Sequence, residues 1–281
     1  MDPRRRAARR TFDALLRSIA EPLDDSDLAG PALVLAPHPD DETLACGGVV
    51  CRMRDRGVPV TIAVLTDGRT SHRHLLPGEE LARLRAREVV EAAKVLQVES
   101  ADVVALGCRD GALAEEAPRA VARLRKILLE RRPATVFAPD PDEPQADHRA
   151  THAIALAALR QAGLPVTLLH YPVWNWSFWP YAPLSSVRCE GRAAAAWTSL
   201  WRAWAFLARF RRRIRLEPHE RARKREALER HATQMSRLGR TDWTTLGDVW
   251  DGAFLDRFLG WEERFLRVDF APGTPGARSI R

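Results

Sequence analysis

Pro31-Ala32-Leu33-Val34-Leu35-Ala36-Pro37-His38-Pro39-Asp40-Asp41-Glu42 is the stretch on which the fold turns. Residues 32–36 are apolar at every position, which is how a strand reads when both faces of a parallel sheet are covered. Similar runs recur at 60–65, 102–106, 134–138 and 166–170. Between them lie helical patterns at 44–56, 78–96, 116–131 and 148–162. Strand and helix alternating at this spacing predict an α/β fold, Rossmann-like, with a mostly parallel sheet flanked by helices.

Beyond residue 170 the pattern changes. Residues 171–181 are rich in Trp and Pro and read as an ordered loop. Residues 192–210 read as a helix with Trp197, Leu200, Trp201 and Trp204 on one face. A strand is expected over 210–217, a helix over 221–237 and another over 254–267. The division that follows is a polar leader at 1–30 with a short amphipathic helix at 12–19, then one α/β domain at 31–270. Its core covers about 31–175 and a C-terminal helical and strand elaboration covers about 176–270. The Pro/Gly-rich tail at 271–281 is expected to fray.

Composition narrows the class. With 46% hydrophobic and 29% charged residues, 281 residues suffice for a folded core. No apolar run is long enough to span a bilayer, and the basic start at 1–10 is not a secretory signal. A cytoplasmic protein is the expectation. Cys46, Cys51, Cys108 and Cys189 show no C-x-x-C pairing, so buried reduced thiols are expected rather than disulfides or a thiolate metal site. The net charge of +7 comes mostly from Arg scattered among acidic neighbours, with clusters at 4–6 and 209–215. No aromatic-and-basic recognition module accompanies them, so nucleic acid is not an expected partner.

In open α/β sheets, ligands bind beyond the carboxyl ends of the strands. The first run ends in an imidazole and three carboxylates, a costly grouping unless a cation or solvent compensates. His38 and Asp41 suit a divalent ion, with Asp40 beside it as a base. The plainer alternative is an acidic loop in which Asp40 or Asp41 caps the next helix. A second element, Asp147-His148-Arg149-Ala150-Thr151-His152, opens the helix after the fourth run. His148 would complete a two-histidine, one-carboxylate set with positions left for water and substrate. His148 and His152 share a helix face as in H-E-x-x-H proteases, but Arg149 stands where the Glu is needed, and His152 reads as a packing residue. His38, Asp40 and His148 also match a non-haem iron triad, although such triads are expected on an all-β fold.

The segment 37–42 with Gly47-Gly48, followed by Asp147-His148-Arg149-Ala150, resembles the LmbE/PIG-L family of zinc-dependent N-deacetylases. Leu65-Thr66-Asp67-Gly68, the segment 106–111, and Lys224, Leu228, His231 and Gln234 extend the resemblance over most of the chain. The resemblance implies His38, Asp41 and His148 as ligands of Zn²⁺, with Fe²⁺ the alternative for such a set, and Asp40 as general base. It implies removal of an N-acetyl group from an aminosugar conjugate by attack of water on the amide. Glu42 and Asp147 are implied to support the ligands, and Asp110 and Arg69 to hold the substrate. Trp174 and Trp176 are read either as an aromatic wall for a pyranose face or as a Trp-rich corner of the core.

One departure matters. Many members carry H-x-D-H at the second element, and here the first position is Gln145. A Gln amide donates a hydrogen bond but delivers no proton. Either His231 takes that role, or Asp40 carries the proton both ways, or the enzyme is impaired. The rival functions are an amidase on thiol- or antibiotic-linked aminosugars and a non-catalytic sugar- or lipid-binding protein. The Trp face beside the basic cluster at 209–213 also fits an interfacial helix, so 192–213 is a candidate for peripheral membrane contact with a lipid-linked substrate. Packing on the sheet or on another subunit is the alternative for the same face.

Overall fold

The computed structural model describes residues 3–187 and 191–272. Cys189 and the tail at 273–281 therefore lie outside the described residues. The elements are α1 (Pro3–Ile19), β1 (Glu21–Pro22), β2 (Ala32–Ala36), α2 (Asp41–Asp55), β3 (Val60–Thr66), α3 (Gly78–Val95), β4 (Val103–Cys108), α4 (Ala117–Arg131), β5 (Thr135–Pro139), α5 (Ala146–Ala162) and β6 (Val166–Tyr171). The second part adds α6 (Arg192–Arg209), β7 (Arg212–Arg215), α7 (Pro218–Glu229), α8 (Ala232–Met235), α9 (Ala253–Phe258) and β8 (Glu262–Phe270).

All five apolar runs form strands, and all four helical patterns between them form helices. From one edge the sheet runs β4-β3-β2-β5-β6-β8-β7-β1. Every pairing is parallel except those of β8, which is antiparallel to β6 and to β7. The α/β expectation thus holds, with one antiparallel strand inside a mostly parallel sheet. Strand alternation separates two apolar layers. Leu33 and Leu35 face α4 and α5 with Val136 and Leu124, whereas Val34 and Ala36 face α2, α3 and α7 with Val50, Val89 and Leu228. Each fully buried Leu of this kind contributes about 1.5–3 kcal/mol.

Three expectations need correction. The helix placed at 221–237 breaks after Glu229, and the chain turns at Arg230 and His231 before the short α8. The helix placed at 254–267 is α9 followed by β8, since Gly260 and Trp261 end the helix and the next nine residues enter the sheet. The leader contains a longer helix than the expected 12–19, and α1 docks firmly. Arg5 donates to the carbonyls of Pro180 and Tyr181, and Phe12 packs edge-on against Phe178 and Tyr181. Cys46, Cys51 and Cys108 are buried and unpaired, as expected.

Close approach explains the paired glycines of α2. A Cβ at Gly48 would lie 2.3 Å from Leu216 Cδ2 and 2.9 Å from Glu263 Oε1, and one at Gly47 would lie 2.9 Å from Lys224 Cγ. Only without side chains there can α2 seat against α7 and β8.

Candidate metal centre

β2 pairs with β3 on one side and β5 on the other, so the strand order reverses between β2 and β5. Ligand crevices form at such switch points, beyond the carboxyl ends of the strands. Here the loop after β2 delivers His38, Asp40 and Asp41, and the loop after β5 delivers Glu143 and Gln145 and leads into His148 in the first turn of α5. Sequence-distant residues therefore meet because two parallel strands lie side by side.

His38 Nδ1 and His148 Nε2 each stand 3.3 Å from Asp41 Oδ2. The three donor atoms lie within 4.8 Å of one another. Yet neither ring nitrogen of His148, which is wholly buried, has a hydrogen-bond partner. Nε2 and Oδ2 are near without being aimed at each other, the relation of two ligands that converge on a third point. Donors about 2.1 Å from a shared tetrahedral ion lie about 3.4 Å apart. The set therefore fits a divalent metal ion. It is Asp41, not Asp40, that joins the histidines, so the iron-triad assignment through Asp40 does not match the geometry.

Carboxylates surround both imidazoles. His38 Nε2 faces Asp110 Oδ1 at 3.3 Å and Asp147 Oδ2 at 3.4 Å. Burial opposes the charged form of His38, but Asp110, Asp147 and Asp41 outweigh it and hold its pKa well above the ordinary value. Burial likewise opposes charge on His148, yet Asp41 and Glu143 raise it to about 9. For Asp41 burial acts upward, and the two histidines more than reverse it. Positive charge is strongly favoured at this point, whether a proton or a metal ion carries it.

Asp40 caps α2 with φ 144°, a conformation a non-glycine residue adopts only when its surroundings impose it. Those surroundings are explicit. Its N–H donates to Glu42 Oε2 at 3.0 Å, its carbonyl accepts from Thr43 and Leu44, and the carbonyl of Pro39 accepts from the amide of Gln234. Burial and the neighbouring Asp41 charge push the Asp40 carboxyl up to about 7, against the pull of His231 and Arg85.

A cavity of about 220 Å³ opens on this group, lined among others by His38, Asp40, Asp41, His72, Arg85, Gln145, Trp174, Gln234 and Phe254. Gln145 stands at the N-terminus of α5, and Trp174 stacks on Phe254 with centroids 4.7 Å apart. Other expected residues sit elsewhere. Trp176 is buried in the core, in ring contact with Tyr181 and Phe206, and lines no part of this cavity. His231 is fully buried behind the site, its Nε2 3.0 Å from Glu42 Oε1, and does not reach the cavity wall. Arg69 is tied to Asp67 and Glu79 outside the lining. Asp110 faces His38 and accepts from the amide and hydroxyl of Thr70, so its oxygens are engaged before any substrate arrives. Glu42 and Asp147 lie where support of the ligands requires them, Asp147 also accepting from the amides of Gly111 and Leu113.

Two residues had no sequence signal. Arg85 of α3 is almost wholly buried and donates to the carbonyl of Gly68 and to Ser71 Oγ beside Asp40. Glu143 accepts from the amides of Val173, Trp174 and Asn175 while its Oε2 faces His148 Nδ1 at 3.3 Å. Carboxylates behind ligating histidines set ring orientation and basicity. Glu143→Gln keeps an acceptor for the loop amides but removes the charge behind His148. Affinity for a divalent ion is expected to fall about 10- to 100-fold, measured by competition with a chromogenic chelator. Unchanged affinity would show that the ring is oriented by packing alone.

Comparison with known proteins bears on the family and the fold. The family description "PIG-L: GlcNAc-PI de-N-acetylase" matches residues 33–159. Diacetylchitobiose deacetylase of Thermococcus kodakarensis is 30% identical over 162 residues, 55% of this chain and 58% of that protein. The match thus spans little more than half the length of that relative. A probable N-acetyl-alpha-D-glucosaminyl L-malate deacetylase 2 of Bacillus cereus is 30% identical over 157 residues, 47% of this chain and 70% of that protein. The fold is shared with the solved N,N'-diacetylchitobiose deacetylase of Pyrococcus horikoshii, with TM-score 0.64 at 22% identity over 95% of this chain and 96% of that one. The chain belongs to the PIG-L (LmbE-like) deacetylase family.

Proposed function

We propose that this protein is a zinc-dependent hydrolase that removes the N-acetyl group from an N-acetylated aminosugar conjugate. The observation that carries the reading is the convergence of His38, Asp41 and His148 on one point, with Asp40 on the wall of the same cavity. His38, Asp41 and His148 would hold the ion, which supplies Lewis-acid polarisation of the amide carbonyl and acidification of a water. Two histidines and one carboxylate leave open positions, the arrangement of catalytic rather than structural zinc.

Asp40 takes a proton from the attacking water as the new carbon–oxygen bond forms at the acetyl carbon. The amide carbon–nitrogen bond then breaks, acetate leaves, and Asp40 returns the proton to the departing amine. With His231 behind the wall, this two-way role of Asp40 needs no second acid. Gln145 donates a hydrogen bond from its amide toward the negative charge that develops on the carbonyl oxygen. Arg85, close behind Asp40, favours its ionised form. Trp174 offers a ring face to the sugar. Asp110 and Arg69, the residues first assigned to the substrate, serve in this reading to brace His38 and the Asp67 turn.

Acetate release tests the proposal. The zinc-loaded protein is incubated with free N-acetylglucosamine and with its oligosaccharide, inositol-linked, malate-linked, peptide-linked, thiol-linked and lipid-linked forms. Release from at least one member is expected, with the preferred conjugate naming the substrate. A folded, metal-loaded protein that releases acetate from none of them would overturn the assignment.

A further inference from the structure

The Trp face of α6 packs neither on the sheet nor on any other described element. Trp197, Leu200, Trp201 and Trp204 are 72%, 53%, 66% and 65% exposed, while Ala195, Ser199, Ala203 and Phe206 form the buried side. From Ala193 to Ala208 the outward face carries no charged side chain. The single internal cation, Arg202, turns inward to the carbonyl and hydroxyl of Ser177. A helix on a protein surface is ordinarily polar outside, and a contiguous exposed apolar patch marks a contact.

Three features distinguish what covers it. The exposed residues are mainly Trp, whose indole N–H groups have no acceptor among the described residues and whose rings suit the boundary between hydrocarbon and headgroups. Cations flank the patch. Arg192 is exposed at one end of α6, and the neighbouring Trp179, 43% exposed, is tied to α6 through its backbone N–H, which donates to Ser199 Oγ. The loop at 178–181 also contacts α1, whose exposed residues include Arg10 and Arg17. Last, the patch runs toward the catalytic cavity. Trp201 and Phe206 line a groove of about 340 Å³ together with Pro144 and Asn175, whose chain neighbours Gln145 and Trp174 line the cavity on the metal centre.

We infer that α6 is an interfacial helix that seats the protein on an anionic lipid bilayer. Among the described residues no helix is long and apolar enough to cross a membrane, so α6 lies in the surface and does not span it.

Sedimentation with vesicles of phosphatidylcholine and phosphatidylglycerol tests the inference. The wild-type protein pellets with these vesicles and less with phosphatidylcholine alone. Trp197→Ser/Trp204→Ser lowers the partition coefficient at least about tenfold. That variant retains wild-type acetate release from a soluble conjugate, because neither residue lines the cavity or the groove. Equal pelleting of wild type and variant, or none by either, overturns the inference. So does a wild-type oligomer in sedimentation velocity that the double variant dissolves without any vesicle binding, since a second copy then covers α6. Acetate release without vesicle binding sinks this inference alone, and vesicle binding without release from any conjugate sinks the deacetylase reading alone.

Discussion

Asp40→Asn is expected to lower acetate release by about 10²- to 10⁴-fold while leaving metal content and fold in place. The substitution is chosen for what it preserves. Asn has the same shape, and the 144° backbone at this position is imposed by main-chain bonds rather than by the carboxylate, so it is kept. The bonds that hold the loop use main-chain atoms, the Asp40 N–H to Glu42 and the Asp40 carbonyl to Thr43 and Leu44, and none is touched. Asp41, His38 and His148 keep their positions, so zinc binding by the variant should match wild type in direct metal analysis. What disappears is an acceptor for the proton of the attacking water. Because the same group returns the proton to the amine, both halves of the reaction suffer, and the loss should fall on kcat more than on KM. A variant with near-normal kcat and full zinc would falsify Asp40 as the base. It would direct attention to His72, a histidine on the cavity wall outside the ligand cluster, whose two ring nitrogens contact Ser71 and Thr244.

The parts of this site legible in the sequence are those that sit where a regular element ends. His38 through Asp41 follow a fully apolar strand, and His148 opens a helix, so their convergence followed from the parallel topology. What stayed hidden depends on contacts between elements. Glu143 is one acid in an acidic, Pro-containing loop, and only the three amides folded around it mark it as buried. Arg85 lies between Arg83 and Arg87 in an ordinary amphipathic helix, and nothing local says which of them turns inward. His231 was a candidate because it falls in the family-like segment with Lys224, Leu228 and Gln234, whereas the chain turns there and holds the imidazole against Glu42. Trp174 and Trp176, two residues apart in a short 3₁₀ turn, go to different places, one to the cavity and one to the core. The strand β8 was misread for a related reason. Glu263 and Arg264 break any apolar alternation, yet both are buried, Glu263 held by the amides of Gly48 and Val49 in α2 and by Lys224 of α7, and Arg264 by the carbonyl of Phe210 and the carboxylate of Glu262.

Those partners carry the second large effect. Lys224→Met is expected to destabilise the fold by about 3–5 kcal/mol, the cost of leaving a buried charge without its counter-ion. Lys224 Nζ donates to Glu263 Oε1 at 2.7 Å, with the two side chains 1% and 2% exposed. Glu263 also accepts from the amides of Gly48 and Val49 at 2.7 and 2.8 Å, within the middle of α2. One carboxylate thus ties together β8, α7 and the helix whose first turn carries Asp41. Met fills most of the space of the Lys stem, so the cavity left is small and the loss is chiefly electrostatic. Urea unfolding monitors it as a lower midpoint at unchanged slope. Glu263→Gln in the Lys224→Met background removes the orphaned charge, so the double variant should be less destabilised than the sum of the two single changes, by a coupling of about 0.5–3 kcal/mol. Strict additivity, or a Lys224→Met protein within about 1 kcal/mol of wild type, would mean that Glu263 is already neutral or reached by water. The pair would then be incidental. The closely packed Gly47 and Gly48 argue otherwise, because a chain that gives up two side chains in the middle of a helix to admit Lys224, Leu216 and Glu263 has shaped that helix around this contact.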